Sequence, residues 1–164
     1  MNKGRKSWGD KLRDDAGLPR IITPDGKMSK RWGEGTCVIP APREVDERMR
    51  KVPRGELATI NHIRTALATR HGTTIACPMT TGLFARIAAE AARPEEEAEG
   101  KKRVTPHWRT LRASGELNPK YPGGCQAQKA RLEGEGHTVT QKGRKFFVED
   151  YEGYLARIAP SVSD

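Results

Sequence analysis

Apolar residues recur at helical spacing in several stretches of the chain. Val45 and Met49 lie four apart behind Pro42, a residue suited to a first helical position. They predict a short helix that ends before Pro53. Ile60, Ile63 and Leu67 form one face of a second helix, with Thr59 as N-cap and Gly72 just past its end. Leu83, Phe84, Ile87, Ala88 and Ala91 make the apolar stripe of a third. It is expected from Thr80 or Thr81 to Ala92, stopped by Pro94, with residues 93–103 as a solvated loop. The second and third helices have the outline of a helix-turn-helix, although the connector 73–79, broken by Pro78, is long for one. A further helix is expected from about Gly124 to Glu135, ending at Gly136. The period then changes to two. Thr138-Val139-Thr140 and Lys145-Phe146-Phe147-Val148 flank Lys142-Gly143 and predict a β-hairpin, the shape of a wing. Tyr154 to Ile158 is expected to add a helical turn.

Residues 1–40 read differently. Gly and Pro recur too often for long regular elements, and Lys3, Arg5, Lys6, Lys11 and Arg13 make the start basic. The expectation is an irregular basic N-terminal arm, with Trp8, Ile21, Ile22, Trp32, Val38 and Ile39 available to dock on the core. Residues 41–150 form the expected winged helix domain and 151–164 a C-terminal tail. The fold class is therefore α+β: a winged helix-turn-helix with a C-terminal hairpin.

Composition narrows the function. The apolar share is 35%, enough with 17 glycines for one modest core. No apolar run approaches the roughly 18 residues that span a bilayer, and no secretory leader opens the chain. The expectation is a cytoplasmic protein without a membrane partner. Cys37, Cys77 and Cys125 are an odd, widely spaced set, which suits reduced thiols rather than a disulfide framework. No C-x-x-C pair occurs and His62 and His71 are nine apart, so neither a metal nor another cofactor is expected. Lys and Arg total 30 against 21 Asp and Glu, a net charge of +9, with a pI near 9.7. That balance favours polyanionic partners, nucleic acid first. Thr80, Thr81 and Arg86 on the third helix, and Lys142, Arg144 and Lys145 on the wing, are types that contact phosphates and base edges. Two thiols sit at expected helix starts: Cys77, ahead of Pro78, and Cys125, behind two glycines. His107 serves Cys77 as a base only if the fold brings them together.

A set of short motifs, in order over residues 42 to 148, resembles the DNA-binding domain of alkylguanine-DNA alkyltransferases. Val52-Pro53-Arg54-Gly55-Glu56-Leu57-Ala58-Thr59-Ile60 is similar to that family's I-P-Y-G-E-V-T-T-Y. Pro106-His107-Trp108-Arg109-Thr110-Leu111 lies where the family has P-C-H-R-V-V. Gly115, then Tyr121-Pro122-Gly123-Gly124, then Arg131-Leu132-Glu133-Gly134-Glu135-Gly136 resemble its G, Y-x-G-G and L-L-E-x-E-G. The resemblance implies a winged helix-turn-helix whose second helix enters the minor groove and which flips a damaged guanine into a pocket. Extrusion is needed because the O6 atom of a paired guanine lies inside the stack.

In that family a Cys takes the alkyl group. His107 stands at the Cys position and Trp108 at the family's His, followed by Arg109. The chain is therefore similar to the alkyltransferase-like branch, which lacks the Cys and binds lesions without repairing them. That branch carries Trp then His, the reverse of the order here. The implied base pocket is His107, Trp108, Arg109, Tyr121 and Glu135. Trp108 either stacks on the base or packs in the core beneath it. Ile60 stands where the family has the Tyr that rotates the target phosphate. The Arg that fills the vacated space falls near Arg86, with registers at Phe84 or Gly82 open. Arg93-Pro94 takes the place of the family's Asn-Pro hinge.

The expected protein is a non-enzymatic, monomeric binder of damaged, alkylated bases in duplex DNA, with other DNA-repair proteins as further partners. Two alternatives stay open. One is a DNA-protein cysteine methyltransferase that uses Cys77 or Cys125. The other is a plain winged-helix DNA-binding or regulatory module.

Overall fold

The computed structural model describes residues 5–32, 34–99 and 104–158. Among them, six α-helices and three small sheets make a mixed α+β fold. The described part of the N-terminal arm is regular rather than irregular. It runs through α1 (Trp8–Arg13), β1 (Arg20–Ile22), α2 (Gly26–Trp32) and β2 (Cys37–Ile39). Ser7 starts α1 by accepting the Asp10 N–H on its Oγ (3.1 Å). β1 pairs antiparallel with β2, Ile21 opposite Val38.

Next come α3 (Pro42–Arg50), β3 (Ala58–Thr59), α4 (Ile60–His71), β4 (Ile75–Ala76) and α5 (Pro78–Glu99). The caps of α4 are as expected. Thr59 Oγ1 accepts the His62 N–H, and Gly72 takes the left-handed conformation that ends the helix. β4 falls in the connector 73–79 and pairs parallel with β2, so the arm and the helical domain share one sheet. α5 departs from expectation at both ends. It starts at Pro78, and it continues through Pro94 to Glu99. A proline inside a helix costs one N–H bond, and the Ala- and Glu-rich sequence on either side is strongly helix-forming. The loop expected over 93–103 is thus helical as far as Glu99, and 100–103 lie outside the described residues.

A 3₁₀ turn (His107–Arg109) leads into β5 (Thr110–Leu111), which lies parallel to β3. α6 (Gly124–Gly134) and the hairpin β6 (Val139–Lys142) and β7 (Lys145–Val148) follow at the expected places. The last turn is 3₁₀ over Tyr151–Tyr154 rather than a helical turn from Tyr154. Two backbone bonds with Leu57, from its N–H to Tyr154 O and to its O from Ala156 N–H (2.8 Å each), dock this tail, and Ile158 is buried.

Two apolar clusters hold the fold. Val45, Met49, Ile63, Leu67, Phe84 and Ala88 pack α3, α4 and α5 together, with Trp8 and Leu12 of α1 laid against them. Leu57, Trp108, Leu111, Leu117, Leu132 and Val148 join the 3₁₀ turn, α6 and the hairpin. The turn at Ser114-Gly115 requires glycine: φ is +82°, and a Cβ there would run into the Tyr151 ring. No helix among the described residues is long and apolar enough to cross a membrane.

Candidate nucleic-acid interface

The start of α5 is set by the sheet. Cys77 N–H donates to Val38 O (2.9 Å), extending the β2–β4 pairing by one residue. Pro78 follows at the first helical position, where its missing N–H costs nothing. Met79, Gly82, Leu83 and Arg86 then fall at i, i+3, i+4 and i+7 on one face. Leu83 therefore leaves the core stripe expected for it. Met79 is 72% exposed and Leu83 52%. The face opposite, Phe84, Ile87 and Ala88, carries the packing.

Facing Met79 and Leu83 is the loop from Asn118 to Tyr121. Gln128 on α6 holds it: Asn118 N–H donates to Gln128 Oε1 (2.8 Å), and Gln128 Nε2 donates to Trp108 O (3.2 Å). The chain turns into α6 through Gly123 (φ +79°), where a Cβ would collide with that of Ala127. Between the loop and α5 lies a cleft of about 450 Å³, whose walls include Ile60, Leu83, Arg86, Arg112, Lys120 and Tyr121. Small-molecule sites span roughly 300–1,000 Å³. Tyr121 presents little surface to the cleft, being only 4% exposed. Burial pushes its phenol pKa up, opposed in part by Asn118 and Arg112, so the hydroxyl stays protonated.

Of the five residues assigned to the base pocket, Tyr121 alone lines this cleft. His107 packs against it edge-on, ring centroids 5.6 Å apart, and against Trp108 at 5.4 Å. Trp108 is 7% exposed and belongs to the second core cluster. Its indole N–H donates to Glu135 Oε2 (3.1 Å). Arg109 forms an ion pair with Glu135 (Nη2 to Oε1, 2.5 Å) and donates from Nη1 to Val52 O (2.9 Å). Trp108, Arg109 and Glu135 thus form a buried knot, and core packing rather than base stacking accounts for the indole.

The DNA-contact candidates also divide. Arg86 and Ile60 line the cleft, and the Arg86 guanidinium lies 5.7 Å from the Trp8 ring of α1. Lys142 and Arg144 are exposed at the hairpin tip. Thr81 is not available: it is fully buried and its Oγ1 donates to Cys77 O (2.7 Å). Thr80 is half-buried with its Oγ1 enclosed. Met79, Arg112, Asn118 and Lys120 also line the cleft, and the sequence did not single them out. The i, i+4 spacing of Met79 and Leu83 was the available signal, hidden because the helix was expected from Thr80 or Thr81 and starts at Pro78. Neither thiol has a histidine bonded to it among the described residues. Cys77 is buried, and burial pushes the Cys125 thiol pKa up, away from the thiolate.

Two crystal structures are similar to this chain. They are S. pombe Atl1 in complex with damaged DNA containing O6-carboxymethylguanine, and S. pombe ATL in complex with DNA. Each shares 18% identity at a TM-score of 0.48, over 71% of this chain and 94% of the other. At that distance no residue role carries over. No protein-family model matches the chain, and no curated protein matches it.

His107 has a consequence for stability. Burial drives its pKa from 6.5 down to about 4, outweighing the raising influence of the Thr105 backbone. Its Nδ1 is enclosed without a partner among the described residues. Between pH 6.5 and 4 the unfolded chain therefore binds the proton and the folded one does not. The contribution is fully present above pH 6.5 and is lost as pH falls toward 4, by roughly 3 kcal/mol in all. His107→Phe is expected to flatten that part of the profile in urea unfolding between pH 4 and 7. His137 is shifted in the same direction by burial and leaves a smaller residual slope. An unchanged slope in the variant contradicts the assignment.

Proposed function

We propose that this protein binds duplex DNA through the exposed face of α5 and the β6–β7 hairpin, and holds an extruded base, preferentially an alkylated guanine, in the cleft beside Tyr121 without transferring any group. The observation that carries the reading is the pair Met79 and Leu83, exposed at a cleft whose walls bear Arg86, Arg112 and Lys120. Soluble proteins leave large apolar side chains exposed together mainly where something else covers them. Apolar wedges entering the minor groove unstack base steps, and neighbouring cations hold the phosphates. A damaged base is the cheapest to extrude because its pairing is already weak. The non-enzymatic part of the reading rests on chemistry: the position beside Tyr121 is a neutral imidazole, and Cys77 is buried.

One observation favours a second reading, duplex binding without extrusion. Tyr121 offers little free ring face, and Ile60 brings no hydroxyl to the cleft. Both readings require duplex binding, which a salt titration tests. Log affinity is expected to fall linearly with log salt concentration, with a slope of about −0.9 for each phosphate contacted. A flat response contradicts both.

A further inference from the structure

The described cations of the N-terminal forty residues differ in their partners. Around α1 some are neutralised by nearby acids: Lys6 pairs with Asp14, Arg13 with Asp10 (2.9 Å), and Asp15 is held by Arg43 of α3, while Lys11 lies over the Trp8 ring. On α2 they are not. Lys27, Lys30 and Arg31 are exposed, the first turn of α2 carries no acid, and among the described residues their side chains make no hydrogen bond or ion pair. Across residues 20–39 four cations (Arg20, Lys27, Lys30, Arg31) stand against two acids (Asp25, Glu34).

The place of α2 in the fold gives this charge a direction. Arg31 and Arg64 line a second cleft, of about 400 Å³, together with Ile75, Pro78 and Met79. Pro78 and Met79 also line the first cleft. The cationic end of α2 therefore borders the same helical turn that presents Met79. The β1–β2–β4 sheet fixes it there, since β2 and β4 flank α2 and α5 in sequence and pair directly. Arg64 is anchored at the junction by Nε to Ala76 O and Nη1 to Asn61 Oδ1 (3.1 Å each).

We infer that α2, with Arg64, is a second phosphate-binding surface that grips the DNA backbone flanking the site entered by Met79 and Leu83. This rests on the duplex binding proposed above and extends it to α2, which lies outside the motif resemblance. The occupant is a polyanion because the charge is unpaired, exposed and on long side chains. Lys6 and Arg13 near α1 would first have to be pulled from their own carboxylates. Met28 and Ile21, exposed on the same segment, are features a protein partner would use instead. The salt dependence separates the two, because only phosphate contacts release counterions.

The test is a Lys30→Ala/Arg31→Ala double variant of the full chain, titrated with a fluorescent duplex from low to high salt. The inference predicts a loss of about tenfold or more at low salt. It also predicts a salt slope shallower by about 1 for each contact removed, equally on damaged and undamaged duplexes. Arg31→Lys is expected to keep most of the slope. Unchanged affinity and slope in the double variant, with the wild-type chain binding normally, overturn this inference and leave the proposed function standing. A loss of affinity with an unchanged slope overturns it too, since the contact is then not to phosphate. A wild-type chain that fails to bind duplex removes both.

Discussion

Leu83→Glu is expected to lower duplex affinity about a hundredfold and leave the fold intact. Leu83 is half exposed on the face of α5 that lines the cleft. The opposite face makes the core contacts through Phe84, Ile87 and Ala88. Glutamate is a good helix former, so thermal unfolding should shift by no more than about 0.5 kcal/mol. At the interface the same change removes an apolar wedge and sets a carboxylate against phosphates. Like-charge juxtaposition of that kind costs several kcal/mol, and each 1.4 kcal/mol is about tenfold in affinity. Full affinity in a folded Leu83→Glu protein would remove the α5 face from the interface.

The second large effect concerns stability. Glu135→Ala is expected to destabilise the protein by about 3–5 kcal/mol, the cost of leaving one partner of a buried ion pair uncompensated. The midpoint should drop by roughly 10 °C. The carboxylate accepts from Arg109 through Nε and Nη2 and from the Trp108 indole. Removing it strands a guanidinium that is only 14% exposed. Replacing both charged partners, as Glu135→Leu with Arg109→Met, is expected to recover much of the loss, because a well-packed apolar pair avoids the desolvation cost. Urea unfolding of the two variants checks this. A single variant within 1 kcal/mol of wild type contradicts the role given to the knot.

The contrast between these two sites shows what the sequence could disclose. α3, α4, α6 and the hairpin were readable because their signals are local: Pro42 at a helix start, Thr59 and Gly72 as caps, Gly143 in a turn between β-rich runs. The β1–β2–β4 sheet was not, since Val38 and Ala76 pair across nearly forty residues of intervening chain and each strand is only two or three residues long. Pro94 was read as a stop because local chemistry makes it one, yet α5 runs on to Glu99. At the candidate site Tyr121 and Arg86 were identified from the motif order and line the cleft. Trp108 and Glu135 were identified with them. Their ring and carboxylate face each other instead of the cleft, a matter of side-chain direction that spacing does not encode.

The most direct test of the account is the affinity of the wild-type protein for two duplexes identical except for one O6-alkylguanine. Extrusion into the cleft predicts tighter binding to the alkylated duplex. The gain is expected to be about tenfold, roughly 1.4 kcal/mol, because the alkylated base costs less to unpair. Equal affinity for the two duplexes would contradict it.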